Sequence, residues 1–108
     1  MSQSKLVWQS MDLAATKFTY RHPLVENAEV SLVPLSRLAG LMRAGVNLVE
    51  IPPGRQAFAH HRHHVEEEWV YVLSGTATVR LDDETHELAA GGFEAFIPGG
   101  AAHSISNA

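Results

Sequence analysis

The feature that most limits what this chain can fold into is its punctuation. Beyond residue 45, glycine and proline cut it into runs too short for helices and well suited to strands. Residues 46–51 end at Pro52-Pro53-Gly54, and residues 68–73 end at Ser74-Gly75. Residues 76–81 turn through Asp82-Asp83-Glu84 into a returning partner at 85–88. Gly91-Gly92 precedes a strand at 93–97, and Pro98-Gly99-Gly100 precedes one more at 103–107. Short strands at regular spacing, separated by turn residues, predict an all-β sandwich or barrel.

Residues 1–45 are less patterned. Residues 10–13 read as a turn or a short helical start, 17–20 as a short strand, and 30–35 alternate in part until Pro34 interrupts them. We read 1–45 as N-terminal strands and loops of the same barrel and 46–108 as its core, one domain in a chain of 108 residues. The strand at 68–73 is apolar on both faces, with Val70 and Val72 on one and Trp69, Tyr71 and Leu73 on the other. An antiparallel strand normally keeps one polar face. The outer face is therefore expected to be covered, by residues 1–45 or by a second subunit, and a homodimer is the favoured reading.

Composition narrows the function classes. A formal charge of −4 lacks the basic footprint of a nucleic-acid binder. The absence of cysteine removes disulfides, thiolate metal sites and thiol nucleophiles. The apolar run near the N-terminus stops after three residues, and no run is long enough to span a bilayer, so a cytoplasmic protein is expected.

Seven histidines are the anomaly, and four of them crowd into His60-His61-Arg62-His63-His64 ahead of Val65-Glu66-Glu67-Glu68. If this segment is extended, His61 and His63 project from one face and His60, Arg62 and His64 from the other. Two imidazoles on one face can chelate a metal ion, and a carboxylate brought back across a turn, as Glu68 would be, adds an oxygen ligand. His103, just after the Pro98 turn, stands in a suitable context for a fourth. The same cluster can also be a solvated loop, a site of adventitious metal binding, or a helical pair of His60 and His64. The upstream Pro52-Pro53-Gly54 and the strand that follows argue against the helix.

The spacing resembles that of the cupin superfamily. The first cupin motif, Gly, His-x-His, Glu, Gly, is matched by Gly54, His61-Arg62-His63, Glu68 and Gly75, with one extra residue after Gly54. The second, Gly, Pro-x-Gly, His, Asn, is matched by Gly92, Pro98-Gly99-Gly100, His103 and Asn107, with every spacing met. The resemblance covers roughly residues 46–107. It implies a small double-stranded β-helix, or jelly-roll barrel, in which His61, His63, Glu68 and His103 converge on one divalent metal ion: iron, manganese, nickel or zinc. Positions left open on that ion would take water, substrate or dioxygen.

A metal-dependent enzyme on a small polar metabolite, of isomerase or dioxygenase type, is the implied function. A non-catalytic domain that binds or senses a small, sugar-like ligand is the alternative. No proton-carrying residue is identifiable from the sequence. His60, His64, Glu66 and Glu67 are expected in a solvated loop, Arg62 away from the metal face, His86 on the surface, and Trp69 and Tyr71 in the core or an interface. A cupin barrel normally continues beyond its second motif. With Ala108 one residue past Asn107, the last sheet is expected to be completed by a partner chain, by the N-terminal segment, or by sequence beyond this piece.

Overall fold

The computed structural model describes residues 5–57 and 67–108. Its order is α1 (Ser10–Ala14), β1 (Phe18–Arg21), β2 (Glu29–Val33), α2 (Leu35–Ala39), β3 (Leu48–Glu50), β4 (Glu68–Tyr71), β5 (Thr76–Leu81), β6 (Glu84–Ala89), β7 (Phe93–Phe96) and β8 (His103–Ser106). The fold is all-β, and the described strand pairs are antiparallel. They form three sheets, β1-β2-β3, β4-β7 and β6-β5-β8. Among the described residues no helix is long and apolar enough to cross a membrane.

Beyond residue 45 the strands fall where the turn residues place them: β5 as expected, β3, β4, β7 and β8 shorter by one or two residues at one or both ends, and β6 longer by one at each end. The short helix α2 departs from the expected loops and strands of 1–45. Its five residues are too few to show a helical period. Two local contacts hold it. Gly40 closes it at φ 74, a left-handed conformation that suits glycine, and the Ser36 hydroxyl accepts the Val46 N–H at 3.0 Å.

The core lies between the β6-β5-β8 and β4-β7 sheets. Alternation along β5 turns Ala77, Val79 and Leu81 inward. Val79, Phe96 and Ile105 are buried together, and Ile51, Ala57, Val70 and Leu88 pack around them. Full burial of a side chain such as Val79, Phe96 or Ile105 stabilises the fold by about 1.5–3 kcal/mol through the apolar area it removes from water.

The last strand is not left with an open edge. On one side β8 pairs with β5, and on the other the strip 55–57 runs alongside it. The Ala57 N–H donates to the Ile105 carbonyl at 2.7 Å, and the Asn107 N–H donates to Arg55 at 2.9 Å. The far side of the same strip meets the start of β2, where the Gln56 N–H donates to Asn27 at 2.9 Å and its carbonyl accepts the Glu29 N–H at 3.1 Å. The free edge of β8 is therefore met by the residues just before the histidine cluster, and through them the sheet continues to residues 27–29 of the N-terminal segment. Residues 5–45 leave the outer face of β4 uncovered. Trp69 is 59% exposed and Tyr71 54%, with Phe93 of β7 beside them.

Candidate functional site

Glu68 opens β4 and sits opposite Phe96 of β7. The pairing alternates, so Glu68, Val70, Glu94 and Phe96 share the inner face, while Trp69, Tyr71, Phe93 and Ala95 share the outer one. His103 opens β8, opposite Leu81 of β5, and is 1% exposed. Its Nε2 lies 3.5 Å from Glu68 Oε1. Two residues 35 positions apart in sequence, from different sheets, thus meet in the interior.

Among the described residues, Phe96 packs on His103, and Asp82 and Gly100 shape the chain that leads into it. Phe96 stacks on its ring, with centroids 3.8 Å apart and planes 9° from parallel. Phe96 is also the cross-strand partner of Glu68, so one phenyl ring borders both polar groups. Asp82 secures the entry to β8: its N–H donates to the Ala102 carbonyl at 2.8 Å, and its carboxylate accepts the Ala102 N–H at 3.1 Å. Asp82 does this at φ 49, a left-handed conformation that aspartate tolerates better than most residues. Behind Ala102 the turn needs glycine for want of space. A Cβ on Gly100 would come within 2.9 Å of Ile97 Cγ1.

Asn107 is a tie. Its side-chain amide donates to the Ile51 carbonyl at 2.9 Å, and its own carbonyl accepts the Gly54 N–H at 2.6 Å. The two ends of the motif-bearing region are thereby joined, Gly54 from the first motif to Asn107 from the second.

The other described histidines lie away from this interior. His22 Nδ1 accepts the N–H groups of Leu24 and Val25 at 3.0 and 3.1 Å and so shapes a turn. His86 is on the surface, as expected, 3.5 Å from Glu84. Trp69 and Tyr71 are exposed, which removes the core half of their expected role. Glu67 is exposed. His60, His61, Arg62, His63, His64 and Glu66 lie outside the described residues. The sequence reading missed Phe96 and Glu94, which only strand register places on the face of Glu68, and Asp82, which reaches Ala102 from a turn 20 residues away. Asp82 carried a partial signal, in a turn-forming Asp-Asp-Glu.

Together these features define a small antiparallel barrel of jelly-roll type with an imidazole and a carboxylate brought together inside it. The chain belongs to the cupin family: the profile of the Cupin domain matches residues 47–108. It is similar to a protein from Acidithiobacillus ferrooxidans ATCC 23270 provisionally named a sugar phosphate isomerase, at 36% identity and a TM-score of 0.89 over 95% of this chain and 67% of that one. It is also similar to a sugar phosphate isomerase of the cupin superfamily from Silicibacter pomeroyi DSS-3, at 32% identity and a TM-score of 0.69 over 72% of this chain and 50% of that one. Sixty-five residues are 40% identical to mannose-1-phosphate guanylyltransferase 2 of Escherichia coli O157:H7. That match takes in 60% of this chain and only 13% of the relative's length.

Cupin domains generally bind a metal. Among the described residues no group of three or more histidine, cysteine, aspartate or glutamate side chains gathers. Glu68 and His103 are two members of the expected four, and His61 and His63 lie outside the described residues. The pair that is described fits a metal. Donors held about 2.0–2.2 Å from one ion stand about 3–3.5 Å apart, and the observed separation is 3.5 Å.

Proposed function

We propose that this chain is a metal-dependent cupin enzyme acting on a small sugar-like metabolite, with the interconversion of sugar phosphates as the favoured chemistry. The observation that carries the reading is the buried approach of His103 to Glu68. The names of the two structural relatives favour an isomerase over the dioxygenase the same ligands could serve. In this reading His61, His63, Glu68 and His103 hold one divalent ion. When bound, that ion polarises an oxygen of the substrate as a Lewis acid. Phe96 keeps the His103 ring in plane, and the apolar side chains of Val79 and Ile105 keep water from that side of the site.

Protein purified without a tag and assayed for metals by mass spectrometry tests this. The expected result is about one ion per chain, lost when His61 and His63 are changed to Ala and when His103 is changed to Ala. Metal at background in the unaltered protein sinks the enzyme reading and leaves a non-catalytic ligand-binding domain in its place.

We also propose that the exposed face of Trp69, Tyr71 and Phe93 is the contact between two copies of the chain. Aromatic side chains gathered on a sheet face are the composition of an interface core. Sedimentation should give a dimer that Trp69→Glu converts to a monomer; a monomeric unaltered protein would remove the proposal.

A further inference from the structure

The proposed isomerisation needs a group that carries a proton between two carbons. Glu68, as a metal ligand, is not available for it. A second carboxylate lies on the same lining. β7 alternates Phe93 out, Glu94 in, Ala95 out, Phe96 in, and Glu94 sits opposite Val70, which packs against the core. Glu94 Oε2 is sealed from solvent and has no hydrogen-bond partner among the described residues. A buried carboxylate oxygen without a partner is costly, and native folds seldom keep one without a use for it. A valine at this position would match Val70 across the strands and pack without that cost.

The register also sets its distance from the site. Glu68 faces Phe96 and Glu94 faces Val70, so the two carboxylates stand on the diagonal of adjacent cross-strand pairs, with backbones about 7–8 Å apart. That separation keeps Glu94 out of contact with Glu68's own position while leaving it within a side chain's reach of a substrate held there.

We infer that Glu94 is the catalytic base of the proposed reaction, and the inference rests on that reading. The Glu94 carboxylate takes the proton from the hydroxyl-bearing carbon next to the substrate's carbonyl. The electron pair of the broken C–H bond becomes the C=C bond of an enediolate, and the carbonyl π pair moves onto its oxygen. Glu94 then returns the proton to the former carbonyl carbon. The remaining hydroxyl proton passes to the former carbonyl oxygen as the second C=O bond forms. An aldose phosphate becomes a ketose phosphate with no atom or electron gained or lost, and no co-reactant is needed.

The test compares the unaltered protein with Glu94→Gln, a variant of nearly the same shape that cannot take a proton. Ribose 5-phosphate, glucose 6-phosphate and mannose 6-phosphate are the probes, and the readouts are metal content, kcat, KM and incorporation of solvent deuterium into the sugar. Glu94→Gln is expected to keep its metal and a KM within about threefold, while kcat falls by about 10²–10⁴-fold and deuterium incorporation falls with it. An active unaltered protein whose Glu94→Gln variant retains kcat and exchange overturns the role of Glu94 alone. A metal-loaded unaltered protein that neither isomerises nor exchanges any of the three sugars overturns the isomerase reading and this inference with it. Glu94→Ala guards against a purely structural role: a fall in thermal stability with kcat and exchange preserved also overturns the inference.

Discussion

Phe18 of β1 and Phe96 of β7 each stand in a strand of four residues, paired in register with an antiparallel neighbour. They end in opposite surroundings. Phe96 is 4% exposed, with the His103 ring against it and Ile105 and Val79 in the same cluster. Phe18 is 44% exposed and lines an open groove with Tyr20, Leu32 and Pro34. The strands are similarly apolar, so what separates them is position in the fold. Phe96 packs in the cluster shared by β4-β7 and β6-β5-β8, whereas β1 is the outer strand of β1-β2-β3, where the buried side chains Val30 and Val33 belong to the central strand β2. Burial in this fold follows position among the sheets more than the composition of any one strand.

The contrast is open to direct attack. Phe96→Ala should destabilise the protein by about 3–5 kcal/mol in urea unfolding, because it opens a cavity beside His103. Phe18→Ala should cost less than about 1.5 kcal/mol, since the ring is already half in water. Equal losses would break the comparison. A smaller difference is expected between two loop anchors. Asp82→Ala removes the acceptor of the Ala102 N–H and leaves an unsuitable residue at a left-handed position, for about 1–2 kcal/mol, and Asp82→Gly should recover part of it. Ser36→Ala, which removes the acceptor of the Val46 N–H in the N-terminal half, should cost about 0.5–1 kcal/mol.

The smallest effect is expected at the N-terminal sheet edge and depends on pH. Hydrogen bonding from the Arg21 guanidinium, at 2.7 Å, holds the Glu29 carboxyl below its ordinary 4.5 against the opposing effect of burial. A depressed folded value means that the pair contributes stability above the unfolded value and loses it as pH falls through the folded one. Arg21→Gln should therefore lower stability slightly at pH 7, and the gap from the unaltered protein should narrow as the pH is taken below 4.5. A gap that does not narrow on acidification would assign the effect to packing of the arginine stem.

Much of the fold was legible because its turns are written in glycine, proline and aspartate. β5 was bounded correctly at both ends, since Ser74-Gly75 precedes it and Asp82-Asp83 follows it. Motif spacing also singled out Glu68 and His103, which do meet. What stayed illegible depends on pairing between distant strands. That Phe96 borders both Glu68 and His103, and that Glu94 shares a sheet face with Glu68, follows from β7 pairing with β4, and alternation within β7 alone cannot reveal its partner. Helix α2 escaped for a different reason, since local contacts at Ser36 and Gly40 outweigh a pattern too short to read.

The strip at 55–57 carries a consequence for the order of folding. Gln56 must find Asn27 and Ala57 must find Ile105, so one long loop must close for each set of bonds. The β5-β6 hairpin closes locally and is the natural early event, whereas non-local closures of this kind are slow. His103 lies on β8, which joins both β5 and that strip only through such non-local closures. Refolding followed in time should show hairpin β-structure first and uptake of the proposed metal only afterwards.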